Sequence, residues 1–307
     1  MATRRTSDRA FAKARTAVVK AQAKLMRDTR AAILEQLEQA NAQITLAISQ
    51  QPEDVTLWRL EALQREVRRA MDEFARDSSP IGGRAIESAW RTGTELIDEP
   101  LEAAGIQLQS VTAVNTRALD AMRNFMTDKI RDIGTAAVDK INTQLGLAIL
   151  GAQGPFEAVQ AVQRILGDET RARANVIVRT ELNRAFSAAA QARLEESTKS
   201  GLPMRKQWRR SGKVHSRPEH DAADGQVQNA ADPFLIHAKD GQHRLMYPGD
   251  PKAPPGQTIN CGCTLLPLLP ALYDDVIVYR NRARRPFTAQ ELRDNQAKRD
   301  FAERVPI

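Results

Sequence analysis

From Ser7 to Gln51 the chain contains neither glycine nor proline, and it is rich in Ala, Gln, Arg, Lys and Leu, all compatible with helix. Phe11, Val18 and Leu25 recur every seven residues, and Ile33, Leu37, Ile44 and Ile48 continue at steps of four, seven and four. A backbone with 3.6 residues per turn gathers such positions into one narrow apolar stripe, so the segment is expected to form one long helix, or two in line, needing a partner for that stripe. Pro52 opens a second segment. There Leu60, Leu63, Val67, Met71 and Phe74 keep helical spacing until Ser78, Ser79 and Pro80, where a stop is expected.

The helical grammar continues. Breaks are expected at Gly82-Gly83, at Pro100 and around Gly105, and Val111 to Leu150 is the clearest helical stretch. Gly154-Pro155 begins a helix through Phe156, Val159, Val162 and Ile165 that should end at Gly167; Asp168 should cap a longer one reaching Lys199. From Gly201 to Pro270 the pattern changes. This stretch holds all four histidines, both cysteines and most of the prolines, with short strands expected at Met204–Arg210 and Thr264–Pro267. Val276 to Tyr279 form a brief apolar run before a basic tail carrying Arg280, Arg282, Arg284 and Arg285. The expected fold is therefore mainly α, with long amphipathic N-terminal helices followed by a small loop-rich α+β module. The expected divisions are a helical region over 1–168, a module over 169–270 and a tail over 271–307.

Charge is concentrated at the start. Residues 1–30 contain Arg4, Arg5, Arg9, Lys13, Arg15, Lys20, Lys24, Arg27 and Arg30 against Asp8 and Asp28, a balance of +7 that equals the net charge of all 307 residues. Such an arm suits a polyanion, since neutralised phosphates release counterions whatever the base sequence; a solvated helix face is the plainer reading. A second basic patch surrounds Trp208, which either stacks on bases or anchors a core. No apolar run reaches the length of a membrane span, and a cytosolic protein with no membrane partner is expected. Cys261 and Cys263 lie too close for an easy intrachain disulfide, which fits a reducing compartment.

Lys213-Val-His215-Ser-Arg217-Pro-Glu-His220-Asp221 precedes Asn260-Cys261-Gly-Cys263 by about forty residues. Thiolate and imidazole are matched zinc ligands, and a loop-rich module with a thin core gains folding energy from a structural metal. His220, Cys261 and Cys263 are the candidates, with His215, His243, Asp221 or water as a fourth; the alternative is two packed thiols and loop-bonded histidines. The His-Glu-x-x-His of metalloproteases, the His-x-Glu with Pro-Cys-x-x-Cys of zinc deaminases and the Gly-x-x-x-x-Gly-Lys-Ser/Thr phosphate loop are all missing. An enzyme is not expected, and no catalytic residue is assigned.

Val178-Arg179-Thr180-Glu181-Leu182-Asn183-Arg184-Ala185 resembles the Arg-Thr-Glu helix of the phage Mu F-like head morphogenesis family, also called phage minor head or minor capsid proteins. The resemblance continues in order through Gln207-Trp208, Ser216-Arg217-Pro218-Glu219-His220, Asp224-Gly225, Pro233-Phe234, Tyr247-Pro248-Gly249-Asp250-Pro251 and Asn260-Cys261-Gly262-Cys263, covering roughly residues 170 to 270. Some relatives carry cysteines where this chain has Arg217 and His220, making a four-ligand zinc module. Arg217 cannot ligate as cysteine does, and Asn260 suits a turn or ligand-orienting role. The resemblance implies a low-copy head component of a tailed phage, located in the virion and in the host cytoplasm during assembly. Its implied partners are the portal or major capsid protein and packaged double-stranded DNA, and its role is head assembly and DNA packaging or retention. The rival is a metal-dependent hydrolase or toxin-like domain carried on a head protein.

Overall fold

A computed structural model describes residues 2–49, 57–107, 115–150, 152–211 and 217–270. Helix α1 spans Ala2–Ser49, α2 Leu57–Ala103 and α3 Thr116–Ile149. Helix α4, Pro155–Arg164, passes through a π turn at Ile165–Glu169 into α5, Thr170–Lys199. The remainder is small: strand β1 (Arg205–Arg209), helix α6 (Pro218–Ala222), strands β2 (Val227–Asn229), β3 (Phe234–Ala238) and β4 (Gly241–Leu245), helix α7 (Pro255–Thr258) and strand β5 (Thr264–Leu268). Long helices followed by a small strand-and-loop module are the architecture expected.

The stripe of α1 is the face that it buries: Phe11, Val18, Ile33, Leu37 and Ile44 are at most 3% exposed. On α2, Leu63, Val67, Met71 and Phe74 are buried likewise, at most 5% exposed. The stop at Pro80 does not occur. Helix α2 runs unbroken through Ser78, Pro80, Gly82, Gly83 and Pro100. Proline removes one backbone donor, yet tertiary packing outweighs that local cost, and Ser79 Oγ donates to the Ala75 carbonyl at 2.6 Å on the preceding turn. The glycines serve close approach. A Cβ on Gly82 would lie 2.7 Å from Ile130 Cδ1 of α3, and one on Gly93 only 2.3 Å from the Phe186 carbonyl oxygen of α5.

The expected break at Gly167 is also absent, since the π turn carries α4 into α5 and Thr170 Oγ1 donates to the Ile165 carbonyl at 2.6 Å. Asp168 lies inside that turn and caps nothing. Phe156, expected on the inward face of α4, is 73% exposed; Ala158, Ala161, Val162 and Ile165 face inward. Pro52 and the segment after Pro270, with Val276 to Tyr279 and the arginines of the tail, lie outside the described residues.

Contacts divide the described residues into two units, each assembled from separated segments: one from those within 2–26, 86–119 and 179–270, the other from those within 27–85 and 120–178. In the first unit, Phe11, Ile97, Leu101, Leu194, Met204, Ala230 and Leu269 form one apolar cluster drawn from α1, α2, α5 and the strand module. Arg193 of α5 donates to Asp98 of α2 at 2.6 Å and to Glu196 at 3.0 Å. Three strands form an antiparallel sheet in the order β2-β1-β5, with Trp208 opposite Leu265; β3 and β4 form a separate hairpin. In the second unit, Lys140 pairs with Glu169 at 2.5 Å, and Arg173 with Asp132.

Candidate metal centre

Helix α5 is the scaffold on which the cysteine loop is hung. Asn260 has φ 56°, a left-handed conformation that asparagine tolerates better than most residues. Its amide N–H donates to Thr180 Oγ1 at 2.9 Å, and Arg179 donates to its side-chain oxygen at 3.4 Å. One turn further along α5, Asn183 Nδ2 donates to the carbonyls of Cys263 and Cys261, at 3.2 and 3.4 Å. Glu181 holds Arg184 at 2.8 Å, and Arg184 Nε donates to the Gly249 carbonyl at 3.4 Å. The Arg-Thr-Glu segment is thus a clamp on two loops.

His220 arrives from the other side on α6. Pro218 at its first turn suits the helix start, and Arg217, the residue before it, donates to the Ile259 carbonyl at 2.7 Å. Arg217 therefore fastens α6 to the cysteine loop instead of supplying a ligand. His220 Nε2 donates to Gln257 Oε1 at 2.8 Å, which leaves Nδ1 as the acceptor nitrogen, 3.5 Å from Cys261 Sγ and 3.7 Å from Cys263 Sγ. Its ring packs edge-on against Trp208, with centroids 5.3 Å apart.

The three donor atoms all lie within 4.8 Å of one another, and their residues are buried. A zinc ion with Zn–N of about 2.1 Å and Zn–S of about 2.3 Å in tetrahedral geometry separates neighbouring donors by roughly 3.6 Å. The two nitrogen–sulfur separations fit that edge. Gln257 fixes the imidazole tautomer in the manner of outer partners at metal sites. The thiols share one proton: the Cys263 thiol donates to Cys261 and holds it well below the usual thiol range. That same bond, together with burial, pushes Cys263 upward.

The proposed fourth positions separate. Asp221 pairs with Arg210 at 3.1 Å, His243 with Asp240 at 2.9 Å, and His215 lies outside the described residues. Asn183 falls within the Arg-Thr-Glu motif but no role could be read for it, and Gln257 was not singled out; an Asn or Gln whose role is to bond a loop dozens of residues away carries no local signal of that role.

The basic segments resolve differently. Arg9, Lys13, Lys20 and Lys24 are exposed on α1. At 100° per residue they fall within about 60° of one another, a single stripe along the helix. Arg27 and Arg30 are exposed as well. Arg15 is a correction: it is 7% exposed, donates to the Pro267 carbonyl at 3.0 Å and lies over the Phe11 ring, so it belongs to the core. For Arg4 and Arg5 only the helical backbone is described. The patch around Trp208 is not an open face. Trp208 and Lys206 are fully buried, and Arg209 and Arg210 pair with Asp224 and Asp221. Lys206 Nζ donates to Gln191 Oε1 at 2.9 Å and the Met246 carbonyl at 2.8 Å, and burial pulls its pKa down to about 8.

No described helix is long and apolar enough to cross a membrane. No solved structure matches the chain. An uncharacterized protein of Bacillus subtilis (strain 168), YqbB, is 35% identical over 104 residues, 33% of this chain and 32% of that protein. The aligned part thus spans about a third of the length of the curated relative. Residues 139–266, which include the Arg-Thr-Glu clamp, His220 and both cysteines, match the family described as Phage Mu protein F like protein, a family of phage head morphogenesis type.

Proposed function

We propose that the chain is a minor capsid protein of a tailed phage, binding the portal or inner capsid and assisting head assembly and DNA packaging or retention. The family match over 139–266 carries this reading, because the clamp and the His220–Cys261–Cys263 cluster both lie inside it. In this reading the long helices supply faces for protein partners. The α1 stripe of Arg9, Lys13, Lys20 and Lys24 supplies sequence-independent contacts to DNA phosphates. Zinc held by His220, Cys261 and Cys263 would be structural, lending folding energy to a module whose strands are at most five residues long. The ligands hold charge for the ion, and Asn183, Gln257 and Arg217 orient the segments that carry them.

The test is a cryo-EM reconstruction of virions around the portal vertex, computed without imposed icosahedral symmetry. Density for this chain against the portal or the inner capsid wall is the expected result; absence from both prohead and mature particle would overturn the assignment. For the DNA contact, Lys13→Glu with Lys20→Glu should weaken duplex binding and flatten its salt dependence. Unchanged binding would remove the stripe from the mechanism.

A further inference from the structure

Within the second unit, α2 and α3 meet closely because glycines stand at the contact. A Cβ on Gly82 would lie 2.7 Å from Ile130 Cδ1 and one on Gly134 3.2 Å from the Met71 carbonyl oxygen, while Gly83 lies beside Arg123, whose Nε would be at ordinary contact distance, 3.9 Å, from a Cβ there. Above that contact runs a groove of about 730 Å³ whose charged lining is Arg76, Arg84, Arg123 and Arg131 against Asp72 alone. Arg76 and Arg84 are eight residues apart on one helix, as are Arg123 and Arg131 on the other, which separates each pair by about 12 Å along its axis. The antiparallel register sets Arg84 beside Arg123 at one end and Arg131 towards the Arg76 end. The groove thus offers two tiers of guanidinium groups, with Ser79, Asn124 and Thr127 among the polar side chains of its wall.

We propose that this groove binds an extended, acidic protein segment whose carboxylates engage the two tiers. Guanidinium forks pair bidentately with carboxylates, and an extended chain places side chains four residues apart at about 13 Å, close to the tier spacing. A nucleic-acid strand fits less well. It carries a charge at every nucleotide and would set phosphates against Asp72, whereas the cations here are discrete. Asp77, Asp120 and Asp128 stand 3.0, 3.9 and 3.8 Å from Arg76, Arg123 and Arg131, at solvent-exposed positions where carboxylates exchange readily. The proposal goes beyond the assembly role and is independent of the α1 stripe, whose residues Arg9 to Lys24 belong to the first unit.

The experiment is fluorescence anisotropy on the full chain with a labelled peptide, (Glu-Ser-Ser-Ser)3-Glu. Its glutamine counterpart is the control, and a twelve-residue oligothymidylate is the competing probe. The expected result is saturable peptide binding, absent for the glutamine version and weakened about tenfold or more by Arg84→Glu and by Arg131→Glu, both exposed and outside the core. Lys13→Glu with Lys20→Glu should change it less than about twofold. Three results would overturn the proposal: no binding at millimolar peptide, binding lost with the α1 variant instead of the groove variants, or groove variants that abolish oligothymidylate binding while leaving the peptide unaffected.

Discussion

Replacing Asn183 by alanine tests whether the α5 clamp governs the cysteine loop. Asn183 is buried, and its one amide nitrogen serves two carbonyls, of Cys261 at 3.4 Å and Cys263 at 3.2 Å. Alanine leaves both acceptors without that donor. An unsatisfied buried group costs about 1–3 kcal/mol, and two sharing one long bifurcated donor should lose about 2–3 kcal/mol together. For a chain of this size that lowers the melting temperature by roughly 4–12 °C. Asn183→Asp should be worse, because it keeps the shape but turns a carboxylate towards two carbonyl oxygens. The assay is thermal melting followed by circular dichroism, in parallel with competitive zinc titration. An orienting partner of this kind typically contributes about 10- to 100-fold in metal affinity, so both readouts should fall together. If Asn183→Ala and Asn183→Asp melt with wild type and bind zinc equally well, the clamp is not what positions the cysteines.

Gly93→Ala and Gly146→Ala should move stability in opposite directions. The first drives a Cβ to 2.3 Å from a backbone oxygen and should cost about 2 kcal/mol net of its helix-propensity gain, whereas the second meets nothing within 4 Å and should gain up to about 1 kcal/mol. Denaturant melts decide; shifts of the same sign refute the packing argument. Burial lowers Lys206 to about 8 from 10.5, so between those pH values the unfolded chain holds a proton that the folded chain has released. Stability from this group therefore rises with pH across that window, by on the order of 3 kcal/mol. Lys206→Met should remove that rise, read as the difference between wild-type and variant melts, which cancels the opposing effect of Tyr247, pushed up to about 12. Cys261→Ser should reduce zinc per chain, measured by elemental analysis after dialysis against a weak chelator; unchanged stoichiometry would place the metal elsewhere.

Periodic features were legible and singular ones were not. Phe11, Val18, Ile33 and Ile44 could be placed on a buried face because repetition at helical spacing leaves one geometric solution. His220, Cys261 and Cys263 could be grouped because few side chains share their chemistry. Pro80 and Gly82-Gly83 read as a stop because their local cost is visible in sequence, while the α3 surface that outweighs it lies some fifty residues away. The burial of Lys206 was hidden for the same reason: Gln191 and the Met246 carbonyl that accept its hydrogen bonds are 15 and 40 residues distant. Asn183 and Gln257 act across 80 and 37 residues, and only the assembled module reveals their roles.

The bond from Arg15 to the Pro267 carbonyl joins residues 252 positions apart, and its consequence is one of timing. A ribosome adding about 5–20 residues per second needs roughly 13–50 s to travel from one to the other. Throughout that interval the start of α1 has been made while β5, and with it the third strand of the sheet, does not yet exist. Phe11 can already meet Ile97, Leu101 and Leu194 of its cluster once α5 is made, but the Arg15 guanidinium and the β1 edge wait for β5. The last part of the first unit to assemble is therefore its sheet, so ribosome pauses between positions 199 and 268 should affect the yield of folded protein more than equal pauses between positions 120 and 178.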